Sequence, residues 1–204
     1  MKSPGKKTNK PADNYYRSAL NFFAEAGLLK RIKRSGWWVA GISQPESVAE
    51  HSFRCAVIGH YLAHAENADP YRVVVMTLFN DIHEARINDL HKMGHRYIDF
   101  KNAEKKVFKE QIEPLNKKVK SDLSKIRYEL DAQDTKESIV ARDADVLECL
   151  LQAKEYYDHG HLGAKKFFEK APRFLKTKTA RRLWKHVKSW HSSAWWQGIV
   201  KFER

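Results

Sequence analysis

Seven residues, Val73-Val74-Val75-Met76-Thr77-Leu78-Phe79, carry a single hydroxyl between them and run straight into Asn80-Asp81-Ile82-His83-Glu84. This junction constrains the fold more than any other stretch of the chain. So apolar a run belongs inside a core, and it delivers the polar residues that follow to the core's edge. If the run is a buried helix, Asp81 and Glu84 arrive near its C-terminal end, three residues apart and on one face. A carboxylate in such a place is costly unless its charge is compensated. A bound cation is one answer, and an ion-pair network is the other.

The remaining sequence is patterned for helices. The 204 residues include only nine Gly and six Pro, and long runs are rich in Ala, Leu, Lys and Glu. That composition favours helix, and the length suits one domain with a sizeable core. Residues 1–12 lack apolar periodicity and read as a disordered basic tail. Asp13 is placed to cap a first helix whose apolar side runs through Leu20, Phe22, Phe23, Ala26 and Leu29. Ser47-Val48-Ala49-Glu50 is a capping box for a second helix, reaching about Glu66. Asp69-Pro70 opens a third. Asp99 starts a charged helical stretch broken near Pro114, and a strong helix from about Thr135 to Tyr157 is ended by Gly160. The expectation is an all-α bundle over residues 13–170, with a basic, Trp-rich helical extension over 171–204 packed on it.

The formal net charge is +13, which draws anions such as nucleotides, nucleic acid or acidic surfaces without choosing among them. Cys55 and Cys149 both sit in apolar helical patterns, so they read as buried thiols of a reducing, cytoplasmic compartment. No stretch has transmembrane length, so no membrane partner is expected. The loop from Lys30 to Trp38 places adjacent tryptophans among cations, either as a lid over the core or as a stacking surface with a phosphate clamp. His60 and His64 read as surface histidines, His91 and His95 as a basic rim. In the last forty residues Arg173, Lys176, Lys178, Arg181, Arg182, Lys185 and Lys188 accompany Trp184, Trp190, Trp195 and Trp196. Such a segment either binds single-stranded nucleic acid or packs a terminal helix on the core. In the late helix Asp143 and Asp145, two apart, cannot share a face. One must turn toward Ala141, Ala144, Leu147 and Leu151, and Asp145, beside Val146, is expected to border that side.

Taken in order, His51 at a helix start, Asn80-Asp81 at the end of another helix and Asp145 in a third resemble the His…His-Asp…Asp set of the HD-domain phosphohydrolases. The surroundings, Pro45-Glu46-Ser47-Val48-Ala49-Glu50-His51-Ser52, Asp81-Ile82-His83-Glu84-Ala85 with Asp89-Leu90, and Ala144-Asp145-Val146-Leu147, are similar to the YfbR-type 5′-deoxynucleotidase branch. Arg34-Ser35-Gly36-Trp37 matches a further segment of that branch, and the likeness spans roughly residues 15–160. The resemblance implies an all-α HD-domain bundle, usually dimeric, that hydrolyses nucleoside 5′-monophosphates, deoxy ones first, with one divalent metal ion. It implies His51, Asn80, Asp81 and Asp145 as the metal set and Glu84 as the acid for the leaving oxygen. Asp89 would hold the attacking water or a sugar hydroxyl, Arg34 the phosphate, and Trp37 the deoxyribose.

One position departs from the pattern. Asn80 stands where the family has the His of His-Asp, and an amide oxygen is a weaker ligand for transition metals than an imidazole nitrogen. Such a site is emptier, harder in preference (Mg or Mn over Co or Zn), or rescued by a neighbour such as His83. The alternative function is therefore a catalytically weak homologue that binds nucleotide or single-stranded nucleic acid. Asn88 replaces a frequent Gly, a mild change if the backbone there is left-handed.

Overall fold

A computed structural model describes residues 11–200, with side chains from Asn14 onward. Its helices are α1 (Pro11–Leu28), α2 (Gly36–Val39), α3 (Val48–Glu66), α4 (Pro70–Phe79), α5 (Glu84–Ile87), α6 (Phe100–Ile112), α7 (Lys117–Ala132), α8 (Lys136–Asp158), α9 (Lys165–Lys170), α10 (Lys178–Val187) and α11 (Ala194–Gln197). No strand occurs among the described residues beyond one isolated bridge, Lys33 to Ser47. No described helix is long and apolar enough to cross a membrane. Most of the expected disordered tail lies outside the described residues. Its last two positions already belong to α1, so the helix begins before Asp13, with Pro11 at its head, where a missing N–H costs nothing.

Elsewhere the helix ends follow local chemistry. Ser47 accepts the Glu50 N–H at 3.2 Å while the Glu50 carboxylate takes the Ser47 N–H at 2.5 Å. Asp69 accepts from the N–H groups of Tyr71 and Arg72, Asp99 from Asn102, and Thr135 from Ser138. Gly160 takes φ +95° just after α8, where a side chain would be strained.

The central layer is α3, α4 and α8, whose Leu62, Ala63, Val73, Met76, Val140, Ala144, Leu147 and Leu150 form one buried cluster. Close approach of α3 to α4 requires Gly59, because a Cβ there would lie 2.9 Å from Val73 Cγ1. Thr77 returns its hydroxyl to the carbonyls of Val73 and Val74, which keeps the apolar run free of an orphaned polar atom. A second cluster joins Phe22, Val48, Ile82, Ala85, Phe108 and Leu123, so it braces the turn after α4 from behind.

Two expectations are revised. Helix α4 stops at Phe79, and Asn80–His83 form a turn, so Asp81 and Glu84 belong to a turn and to α5 instead of one helical face. The carboxylate turned into the apolar side of α8 is Asp143, fully buried, while Asp145 is half-buried. Asp143 accepts the Lys176 N–H at 2.8 and 3.1 Å and the Thr177 N–H at 2.6 Å. It thereby holds the start of α10, which contributes Ala180, Trp184 and Val187 to the central cluster. Of the other late tryptophans, Trp190 is half-buried and Trp195 is 68 % exposed.

Candidate active site

The first turn of α3, the turn after α4 and the middle of α8 meet at His51. Its Nε2 lies 3.1 Å from Asp145 Oδ1 and 3.6 Å from Asp81 Oδ2, and the residue is buried. Its Nδ1 is bonded to the Glu148 carboxylate. The Glu148 carboxylate accepts a hydrogen bond from the Nδ1–H and leaves Nε2 as the outward-facing ligand. Glu148 is itself fully buried and held by Arg54, whose Nε and Nη2 donate to Oε1 at 2.9 and 2.8 Å. Arg54 also binds Glu155 and Gln152 further along α8. One guanidinium thus ties α3 to the face of α8 that carries the site.

The field at His51 favours positive charge. Burial and Arg34 oppose the imidazolium, but Cys55, Glu148 and Asp145 together hold its pKa well above the usual value. Burial likewise opposes ionisation of Asp145, yet His51, Arg142 and Arg34 keep its carboxyl below the usual range. A proton satisfies this field, and so does a metal ion. The imidazole and carboxylate donors are of the type that holds a borderline divalent cation, with Asp81 the outlying member: it lies 3.6 Å from His51 Nε2 but in no group of three ligand atoms within 4.8 Å of one another among the described residues. The ligand atoms of His51, Cys55 and Asp145 lie within 4.8 Å of one another, as do those of Glu46, His51 and Glu148.

Asn80 is half-buried beside this point, and its Nδ2 donates to Asp81 Oδ1 at 2.7 Å. The amide nitrogen being so used, Oδ1 is the donor it can offer a cation. His83 does not rescue the position: it is buried facing Glu104 of α6, 3.4 Å from its carboxylate, and packs on Phe100.

Arg34 stands among the acids, 3.7 Å from Asp81 Oδ2 and 3.9 Å from Asp89 Oδ1. Its own backbone N–H is bonded to the Glu46 carbonyl, and the Ser35 N–H donates to Asp89. Asp89 therefore fixes the loop that carries Arg34. Asn88 before it has φ 61° and ψ 167°, an area populated almost only by Gly, so this exchange costs more backbone strain than a plain left-handed residue would. Glu84 is 5 % exposed, and its Oε2 has no hydrogen-bond partner among the described residues. Burial first, then the charges of Asp81 and Asp89, push its pKa well above the carboxylate range, with Arg34 and His51 opposing.

Trp37, expected against a sugar, is 2 % exposed instead. Its ring packs on Tyr156 and Phe167, and its Nε1 donates to Glu46 Oε1 at 3.0 Å. The neighbouring Trp38 is the exposed one, so the lid and stacking readings divide between the two rings. Burial and the charge of Glu148 push Glu46 up to about 7. His60 and His64 are exposed, rings 4.7 Å apart and away from the cluster. Cys55 is buried as expected, whereas Cys149 is half-buried. The residues missed from sequence are Glu148 and Arg54. Each lies three positions after a site residue, Asp145 and His51, and a Glu inside Val146–Leu151 was the available signal.

A family model for the HD domain matches residues 26–186. The chain belongs to the HD-domain family. It is 30 % identical over 150 residues to the 5′-deoxynucleotidase HDDC2 of Dictyostelium discoideum, covering 70 % of this chain and 79 % of that protein. With the human protein of the same name it shares 29 % identity over 146 residues, 71 % of each chain. A conserved hypothetical protein from Pyrococcus furiosus superposes with a TM-score of 0.70 at 27 % identity, covering 83 % of this chain and 97 % of that one. HD-domain phosphohydrolases are metal-dependent, which agrees with the ligand-type side chains meeting at His51. The family match continues into α10, beyond the segment that carried the motif likeness.

Proposed function

We propose that this chain is a divalent-metal-dependent phosphomonoesterase that cleaves nucleoside 5′-monophosphates, deoxynucleotides foremost. The observation that carries it is the meeting of Asp81, Asp145 and His51 Nε2 beside Arg34 and Glu84, in a chain similar to proteins named 5′-deoxynucleotidase. The metal set is His51, Asp81 and Asp145, with Asn80 as the weakest member, and the cation is of the Mn, Co or Mg type. When bound it supplies Lewis-acid polarisation of the phosphoryl group and an acidified water. Glu148 holds the His51 ring so that Nε2 points inward. The Arg34 guanidinium takes the phosphate, and Asp89 keeps its loop in place through the Ser35 N–H. Glu84, protonated in its buried setting, gives a proton to the departing 5′ oxygen. Trp37 keeps Glu46 in position beneath the site.

Asn80 favours a second reading, a nucleotide binder with little turnover. Replacing it decides between the two. Asn80→His is expected to raise both bound metal and phosphate release at least about tenfold, since even an indirect partner of a metal ligand is worth roughly 10–100-fold. Metal analysis and a panel of nucleoside monophosphates with Mn, Co and Mg would measure it. Equal metal content and equal turnover in both forms would remove Asn80 from the ligand set.

The cations of α10 support an additional partner. Lys178, Arg181, Arg182 and Lys185, with Lys188 just past the helix end, are exposed, while the helix's apolar residues Ala180, Trp184 and Val187 are buried. A face of cations alone suits a phosphodiester backbone better than insertion into lipid. Binding of a single-stranded oligonucleotide should weaken steeply with salt, and changing Arg181, Arg182 and Lys185 to Glu should abolish it. Unchanged affinity in that triple variant would assign these charges to solvation alone.

A further inference from the structure

His51 and Asp145 are steadied by side chains of other positions on helices, Glu148 and Arg142, but Asp81 depends on its own turn. Its Oδ1 takes the amide of the adjacent Asn80, and Arg34 stands 3.7 Å from its Oδ2. What places this carboxylate is therefore the backbone just beyond the end of α4. Helices α6 and α7 grip that backbone. Arg127 of α7 donates from Nη1 to the Asn80 carbonyl at 3.0 Å. Gln111 of α6, fully enclosed, donates from Nε2 to the Ile82 carbonyl at 3.1 Å.

Arg127 occupies an inward place on α7, on the side that buries Leu123 and Ile126. A guanidinium there needs its charge compensated. Its Nε lies 3.0 Å from Asp131 Oδ1 and its Nη2 3.7 Å from Glu104 Oε2, and the group sits 5.5 Å from the Phe108 ring centre. Carbonyls at a helix C-terminus lack helical partners and carry partial negative charge, so a cation suits them. The planar fork meets the carbonyl and both carboxylates at once, which a point charge cannot do.

We propose that Arg127 is a positioning residue of the metal site: by holding the Asn80 carbonyl it keeps Asp81 turned toward His51 Nε2 and so sets the affinity for the divalent cation. The proposal rests on the reading of His51, Asp81 and Asp145 as metal ligands. Without the guanidinium, the Asn80 carbonyl loses its partner and the turn is free to carry Asp81 away from His51. Asn80 and Asp81 then move together, because the amide of one is bonded to the carboxylate of the other.

A second arginine provides the control. Arg72, in the first turn of α4, donates from Nε to Glu129 of α7 at 2.8 Å, so it ties the same two helices together at the end away from the site. The test is Mn²⁺ titration of the metal-stripped full chain, with the free ion counted by its paramagnetic resonance signal and thermal unfolding of the metal-free protein measured alongside. Arg127→Gln should bind Mn²⁺ about tenfold more weakly, the low end of the range for an outer partner of a metal ligand, since it acts through backbone. Arg127→Lys, which keeps the charge and one donor for the carbonyl, should fall between the two. Arg72→Gln should lower the melting temperature and leave Mn²⁺ affinity unchanged. Should Arg127→Gln fail to fold by circular dichroism, Arg127→Lys decides: affinity below native supports the assignment, and native affinity overturns it. Native Mn²⁺ affinity in a folded Arg127→Gln variant overturns the positioning role while leaving the metal site intact. An equal loss of affinity in Arg72→Gln also overturns it, because any loosening of α4 on α7 would then do the same. No Mn²⁺ binding by the native chain overturns this proposal and the metal-dependent reading together.

Discussion

Glu84→Gln is expected to lower phosphate release from a deoxynucleoside 5′-monophosphate by about 10²–10⁴-fold, the usual range for a positioned general acid. The side chain keeps its size and loses only the proton it can give. Glu84 is buried, one carboxyl oxygen is unpartnered among the described residues, and Asp81 and Asp89 stand close enough to resist a third negative charge. Its raised pKa places the donor form below that pKa, so the activity it supports is lost as pH rises through it. The limb therefore lies above the ordinary carboxylate range, and Glu84→Gln should erase it. An aryl phosphate whose leaving group departs without a proton should be hydrolysed almost equally by both forms. If the variant loses as much on the aryl ester as on the nucleotide, Glu84 does not act as the acid.

Asp143→Ala should destabilise the fold by about 3 kcal/mol. Two N–H groups, of Lys176 and Thr177, would be left without their acceptor, each costing roughly 1–3 kcal/mol when buried. For a chain of this length that corresponds to a fall in melting temperature of roughly 6–12 °C. Because Asp143 secures the start of α10, the loss should also expose the segment around residues 171–178 to proteases before the rest of the fold opens. A thermal transition within about 2 °C of the native one would mean that α10 is held by Trp184 and Val187 without this carboxylate.

Much of the helical framework was legible because helix ends are local events. Ser47 with Glu50, Asp69-Pro70, Asp99, Thr135 and Gly160 each act within four residues, and each appears where sequence places it. His51, Asp81 and Asp145 were legible as types at familiar spacings. The division of labour between Asp143 and Asp145 was not. Both border the apolar side of α8, and the choice is made by the backbone of residues 176–177, 33 and 34 positions away. Trp37 was misjudged for the same reason: the rings of Tyr156 and Phe167 that enclose it come from α8 and α9.

Local order along this chain thus determined where helices start and stop, and which of them carry imidazole and carboxylate donors. Only the tertiary structure decided what those donors face. Glu148 sits 97 residues from the ring it orients, and Arg54 is 94 residues from that carboxylate. Capping and periodicity act through bonds to neighbours a turn away, so they are written in sequence. The energy of a buried charge depends on whatever the fold brings within a few ångströms, which no local pattern records.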